Sequence, residues 1–144
     1  MKPVVRVVVL SGAEAPTYAT PGSAGLDLRS VEDIELRPME RTLARTGLVL
    51  SIPAGYEGQI RARSGLAHKH GIALVNSPGT IDSDYRGEVG VLLINLGSDV
   101  VKLARGDRIA QLVVSPVSQA EVQVVDEIDS TVRGIGGFGS TGTR

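Results

Sequence analysis

Residues 76–95 read NSPGTIDSDYRGEVGVLLIN, a run of turn formers followed at once by a run of Val, Leu and Ile. Asn, Pro, Gly, Asp and Ser punctuate a chain for separate reasons of φ preference and local hydrogen bonding, so this stretch predicts a turn feeding a strong strand over Val89–Asn95. The same alternation recurs in both directions. Toward the N-terminus, short apolar or β-branched runs lie near Val4–Leu10, Leu26–Arg29, Glu32–Leu36, Arg41–Ser51, Tyr56–Arg63 and Ile72–Leu74. Toward the C-terminus they continue near Val100–Leu103, Arg108–Val117 and Glu121–Val125, with Gly, Pro, Asn or Asp between them. Val4–Leu10, broken only by Arg6, reads as a buried first strand. One helical candidate interrupts the series, Ser64–His70, with Ser64 as a possible cap and Gly71 as its stop.

Many short strands with frequent turns give an all-β expectation, a jelly-roll-like β-barrel with one short helix. Glycine (18) and proline (7) make up about 17% of the 144 residues, which leaves no room for long helical bundles. The length fits one core domain over residues 1–125. Beyond Val125 the sequence DEIDSTVRGIGGFGSTGTR loses its apolar period and gathers glycines, so 126–144 is expected as a C-terminal arm. Extended at ~3.3 Å per residue it reaches on the order of 60 Å, enough to lie over a neighbouring subunit, although a disordered end suits the same composition.

Charge narrows the partners. Fifteen Lys and Arg against sixteen Asp and Glu give a net charge of −1, without a block of like charges, which argues against a nonspecific nucleic-acid binder. Twelve of the fifteen cations are arginines, the side chain whose planar fork suits phosphate, though coding bias would produce the same count. With no cysteine there are no disulfides, zinc-thiolate sites or thiol nucleophiles. No apolar run is long enough to span a membrane and MKPVVRVVVL is not a signal peptide, so a soluble cytoplasmic protein is expected. His68 and His70, the only histidines, make a poor transition-metal pair and are expected to face solvent.

Three segments carry candidate chemistry. Asp82 and Asp84 stand two apart beside Tyr85 and Arg86, where an Asx-type turn is one reading and a general base for a water, or a metal pair, the other. Arg61, Arg63 and Ser64 precede the helical candidate, as a solvated pair or as phosphate ligands at its start. In the arm, Gly134, Gly136 and Gly139 fit G-x-G-x-x-G by accident, because a dinucleotide fingerprint needs a strand before it and a helix after it. What survives there is a crowd of glycine amides, a forked cation at Arg133, hydroxyls at Ser140 and Thr141, and Phe138, the only Phe, whose flat face suits a nucleobase or a partner subunit's pocket.

Taken in order, AGLDLRS (Ala24–Ser30), RSGLA (Arg63–Ala67), NSPGTIDSDYRGEVGV (Asn76–Val91), RGDRIAQLVV (Arg105–Val114) and RGIGGFGSTG (Arg133–Gly142) resemble the five motifs of the homotrimeric dUTPase family. The resemblance spans nearly the whole chain and implies hydrolysis of dUTP to dUMP and pyrophosphate, limiting uracil in DNA and supplying dUMP. It implies attack of a water on the α-phosphorus, activated by Asp82, with Mg²⁺ held mainly by the triphosphate and Asp27 reaching it through water. Arg63, Ser64 and Gly65 match a phosphate-binding turn and Gln111 an α-phosphate contact. Asn76, the backbone at Thr80 and Ile81, and Gly90 match the uracil-reading hairpin, while Tyr85 matches the ring beneath the deoxyribose that rejects a 2′-hydroxyl. Arg133, Gly139, Ser140 and Thr141 match γ-phosphate ligands and Phe138 the lid over uracil. Three subunits would share each site, with no membrane or nucleic-acid partner. Two other readings stand beside it: a dCTP deaminase-type relative, which lacks the RGxGGFGSTG tail, and a non-catalytic β-sandwich nucleotide-binding module.

Overall fold

In the computed structural model, which describes residues 2–138 and 140–142, ten strands and one short helix follow one another in the order β1 (Arg6–Val9), β2 (Leu26–Arg29), β3 (Ile34–Leu36), β4 (Arg41–Ser51), β5 (Tyr56–Arg61), α1 (Ser64–His70), β6 (Ile72–Leu74), β7 (Gly79–Ile81), β8 (Glu88–Asn95), β9 (Val101–Leu103) and β10 (Arg108–Pro116). Every pairing is antiparallel. Two four-stranded sheets, ordered β1-β4-β8-β6 and β2-β10-β5-β7, face each other, with β3 and β9 pairing beside them. The fold is the expected all-β, jelly-roll-like one.

The core is aliphatic, as a chain with four aromatics requires. Leu48 and Leu50 from β4, Val89, Val91 and Leu93 from β8, and Ile60 and Leu112 from the opposite sheet are all buried in one cluster. β8 shows how the pleat does this, since alternate residues point inward throughout its length. In the middle of β4 the alternation fails, and Thr46, Gly47 and Leu48 are buried in succession. The β4–β8 register shifts there, between Arg45 and Val49, and Gly47 takes φ +65°, a left-handed conformation that glycine adopts without a side-chain penalty. Thr46 fills the gap by donating its hydroxyl to the Val89 carbonyl at 2.5 Å.

Several expectations need correction. The first strand is shorter than Val4–Leu10 and is not buried: Val4, Val8 and Val9 are exposed, because β1 is an edge strand whose only neighbour is β4. Glu121–Val125 forms no strand; among the described residues it finds no pairing neighbour, and Val122 and Val124 stand in solvent. Gly79–Ile81, read as part of a turn, is β7 and pairs with β5. The helix has the expected bounds and ends on Gly71 at φ 68°, but Arg63 rather than Ser64 is its N-cap and no side chain closes it. His68 and His70 do lie on the exposed face of α1.

Candidate active site

Strand register builds the first cluster. Gln111 on β10 stands opposite Asp27 on β2 and, on its other side, opposite Arg61, the last residue of β5. The chain leaves β5 through Arg63 into α1, so Arg63, Ser64 and Gly65 arrive beside Asp27 and Gln111 around a cavity of about 260 Å³. Arg108 reaches the same cavity from the start of β10. Its guanidinium Nη1 lies 3.2 Å from Asp27 Oδ2, while Arg63 Nε lies 3.6 Å from Asp27 Oδ1. Arg63 also donates to the Arg108 carbonyl at 3.2 Å, and Gln111 Nε2 donates to the Ala62 carbonyl at 3.2 Å. A Cβ at Gly25 would stand 2.6 Å from Gln111 Oε1, so glycine there is what lets the amide lie across the cavity floor. The result is a cup with two guanidiniums, one carboxylate, an amide and the opening turn of α1, whose first amides have no intrahelical acceptor.

A second cluster lies where β7 runs into the 82–87 loop and on to β8. Thr80, Ile81, Asp82, Tyr85 and Gly90 surround another cavity of about 260 Å³, closed on one side by Leu43 of β4. Gly90 is close-packed against that wall: a Cβ would sit 2.7 Å from Leu43 Cδ1. Asp82 is exposed, and among the described residues its carboxylate takes part in no hydrogen bond or ion pair. The loop is held instead through backbone, with the Tyr85 amide donating to the Asp82 carbonyl at 3.2 Å. Tyr85 turns its ring back over Gly87 and donates its hydroxyl to the Glu88 carbonyl at 3.1 Å.

Glu88 ties this loop to the β4 bulge. Its carboxylate accepts from the Gly47 amide at 2.9 Å and from Arg45 at 3.2 and 3.3 Å. Burial alone would push the Glu88 carboxyl up, but the Gly47 amide and the hydrogen bond and charge of Arg45 together hold it below its ordinary 4.5.

The predicted site residues therefore fall into two groups that share no lining residue. Asp27, Arg63, Ser64, Gly65 and Gln111 form the cup; Thr80, Ile81, Asp82, Tyr85 and Gly90 form the slot. Asn76 lines neither cavity, and its side chain packs over Gly79 in the connection from β6 to β7. Arg133, Phe138, Ser140 and Thr141 line neither cavity either. Arg133 bonds back to the Gly136 carbonyl at 2.8 Å, and Phe138 is fully exposed in the single chain. Gly139 lies outside the described residues. Sequence reading missed Arg108, Leu43 and Glu88. Arg108 was within reach, as the arginine three positions before Gln111 on one strand.

Asp27 bears on the question of a metal. Both of its oxygens face guanidiniums, and among the described residues no group of three or more His, Cys, Asp or Glu side chains converges. Such a cup would suit only a hard cation that keeps most of its waters and takes its other oxygens from phosphates, one that Asp27 would meet through water.

Known proteins resemble this chain over nearly its whole length. The dUTPase family model matches residues 11–142. A deoxyuridine 5′-triphosphate nucleotidohydrolase from an Anaeromyxobacter species is 62% identical over 129 residues, covering 90% of this chain and 88% of that one. The enzyme of the same name from Sinorhizobium medicae is 56% identical over 143 residues, covering 96% and 89%. Among solved structures, the dUTPase of Staphylococcus bacteriophage 80alpha with dUpNHpp superposes with a TM-score of 0.90 at 28% identity, covering 96% of this chain and 98% of that one. A variant dUTPase from phage phi11 of S. aureus, described for its coordination of a structural Mg(II) ion, superposes at 0.80 with 26% identity, covering 86% and 97%. Among the described residues no helix is long and apolar enough to cross a membrane.

Proposed function

The chain belongs to the dUTPase family, and from that premise we propose that it hydrolyses dUTP to dUMP and pyrophosphate, at sites to which several copies of the chain contribute. The observation that carries this reading is the division of labour between the two clusters. The cup suits a polyphosphate, because Arg63 and Arg108 offer forked donors and the start of α1 offers amides. The slot suits a flat heterocycle and a sugar, because it has an apolar wall at Leu43, an aromatic at Tyr85 and an uncommitted carboxylate at its rim. One nucleoside triphosphate has both parts, and within one copy of the chain the two halves line separate cavities. A homotrimer that sets one subunit's slot against its neighbour's cup answers that need.

Asp82 takes a proton from a water placed against the α-phosphorus. The new bond runs from that water's oxygen to phosphorus, the bond from phosphorus to the bridging oxygen breaks, and pyrophosphate leaves. General-base assistance of this kind is worth roughly 10²–10⁴ in rate. A Mg²⁺ ion brought in with the triphosphate would find in Asp27 a partner through water, and would supply neutralisation of the phosphate charge. Arg63, Ser64, Gly65 and Gln111 orient the phosphates for in-line attack. The uracil edge is read by Asn76 and by the backbone at Thr80 and Ile81, with tight packing at Gly90 leaving no room for a C5 methyl. Tyr85 lies beneath the deoxyribose. The arm over residues 126–144 crosses to a neighbour, where Phe138 covers the base and Arg133, Gly139, Ser140 and Thr141 grip the γ-phosphate, expelling water from the closed site. The product dUMP feeds thymidylate synthesis in the cytoplasm, and removal of dUTP keeps uracil out of DNA.

The test is incubation with Mg²⁺ and, separately, dUTP, dCTP, dTTP and UTP, following release of monophosphate and pyrophosphate. Turnover of dUTP alone is expected. Ammonia from dCTP would move the chain to deaminase chemistry, and no turnover of any of the four would leave a non-catalytic nucleotide-binding fold.

A further inference from the structure

Tyr85 is exposed at the rim of the slot, yet three features fix where its ring lies. The hydroxyl donates to the Glu88 carbonyl at 3.1 Å. The ring rests on Gly87, where any Cβ would overlap the hydroxyl, so the residue between Tyr85 and its acceptor must carry no side chain. Glu88 is itself held from the other side, its carboxylate on the Gly47 amide at 2.9 Å and on the Arg45 guanidinium at 3.2 Å. One residue thus joins the β4 bulge to the ring, by its carboxylate at one end and its carbonyl at the other.

We infer that Glu88 is a positioning residue for sugar discrimination, working with Gly87 to hold the Tyr85 ring as a stiff wall against a 2′-hydroxyl. The inference rests on the reading of Tyr85 as the ring beneath the deoxyribose. Its physical basis is that an apolar pocket by itself rejects an isostere bearing a hydroxyl only weakly, by about 10², so a stronger rejection of the 2′-oxygen calls for a wall that does not move aside. A ring tethered at its hydroxyl and backed by an anchored carbonyl cannot retreat in that way. The tether runs between Tyr85 and Glu88 and includes none of the residues assigned to the phosphates, Arg63, Ser64, Gly65 and Gln111.

The experiment compares kcat/KM for dUTP and for UTP in the intact oligomer. Tyr85→Phe removes the tether and keeps the ring; Gly87→Ala places a methyl group where the hydroxyl lies. Neither touches the core, and Gly87 does not have a left-handed φ that alanine would resist. Glu88→Ala removes the anchor, and Glu88→Gln keeps an acceptor for the Gly47 amide. The dUTP-to-UTP ratio is expected to fall about tenfold in the first three, with kcat/KM for UTP rising whatever happens to that for dUTP, and to recover to within roughly threefold of the parent in Glu88→Gln. A gain of activity toward the wrong sugar is a change that simple loss of folded protein does not produce. A ratio unchanged in both Tyr85→Phe and Gly87→Ala overturns the inference, whatever Glu88→Ala does. Tyr85→Ala separates the two levels: if it too leaves the ratio unchanged, Tyr85 does not read the sugar and the underlying assignment falls, whereas a collapse in Tyr85→Ala alone overturns the tether and leaves that assignment standing.

Discussion

The cup and the slot solve opposite electrostatic problems. In the cup every charge is engaged before any ligand arrives: Asp27 faces Arg63 and Arg108, and Arg63 also holds the Arg108 carbonyl. In the slot the carboxylate at the rim, Asp82, has no partner among the described residues, and the loop bearing it is fixed through the Tyr85 amide and hydroxyl instead. On the function proposed above, the difference follows from what each region would have to do. Ligands for phosphate gain from being pre-set, since side chains already held in place cost little further ordering when the anion binds. A general base paired to an arginine would be acidified and would give up its power to take a proton. The fold therefore braces one carboxylate with cations and isolates the other.

The sharpest way to break this contrast is Asp82→Asn. The amide still accepts and donates hydrogen bonds but cannot accept the proton, so kcat should fall by about 10³ while nucleotide binding persists. Turnover near that of the parent, with binding intact by calorimetry, would remove Asp82 from the role. Deleting residues 133–144 comes next in size. If the arm brings Arg133 and Phe138 over a neighbour's substrate, the truncated chain should keep its oligomeric state in sedimentation and lose on the order of 10² in kcat/KM. An unchanged rate would show that cup and slot suffice without it.

The two regions also differed in how far they could be read from sequence. Long strands such as β4, β8 and β10 announce themselves through runs of branched residues. β7 is three residues between Pro78 and Asp82, too short for a period of two to register, and only its pairing with β5 makes it a strand. Apolarity in Val4–Leu10 and Glu121–Val125 was legible, but apolarity does not name its partner, and within one chain both segments remain largely exposed. At the site, Asp82, Tyr85, Arg63 and Gln111 were legible as candidates because the motifs that carry them are written in side-chain types. Arg108 could have been read from its place three positions before Gln111, whereas Glu88 could not, because its contacts are a cross-strand bulge and a main-chain carbonyl that carries no residue signature.

Arg108→Ala probes the bracing of the cup. It leaves Asp27 with one cation, frees the carboxylate to repel phosphate, and removes a forked donor. KM for dUTP should rise roughly tenfold, the scale of one charge-assisted hydrogen bond, with a smaller change in kcat. Arg108→Lys restores the charge without the fork and should recover only part of the loss. A large kcat effect with KM unchanged would show that Arg108 acts on the reacting phosphate rather than on the ground state.

The smallest effect expected concerns the anchor behind the slot, and it appears as a slope against pH. Burial raises the Glu88 carboxyl, yet the Gly47 amide and Arg45 more than reverse this, so its folded value lies below 4.5. Between the folded and unfolded values the unfolded chain binds more protons, and stability must rise with pH across that window. The contribution is complete above 4.5 and is lost as pH falls through the folded value. Other carboxylates titrate nearby, so the quantity to measure is the difference in urea midpoint between the parent and Glu88→Gln at several pH values on either side of 4.5. The variant should be the less stable protein at neutral pH, and the gap should close on acidification as the parent's own Glu88 takes up its proton. A gap that stays constant would mean that the carboxylate's charge contributes nothing to the Gly47 and Arg45 contacts, and that the β4 bulge is held to β8 by the Thr46 hydroxyl and the backbone ladder alone.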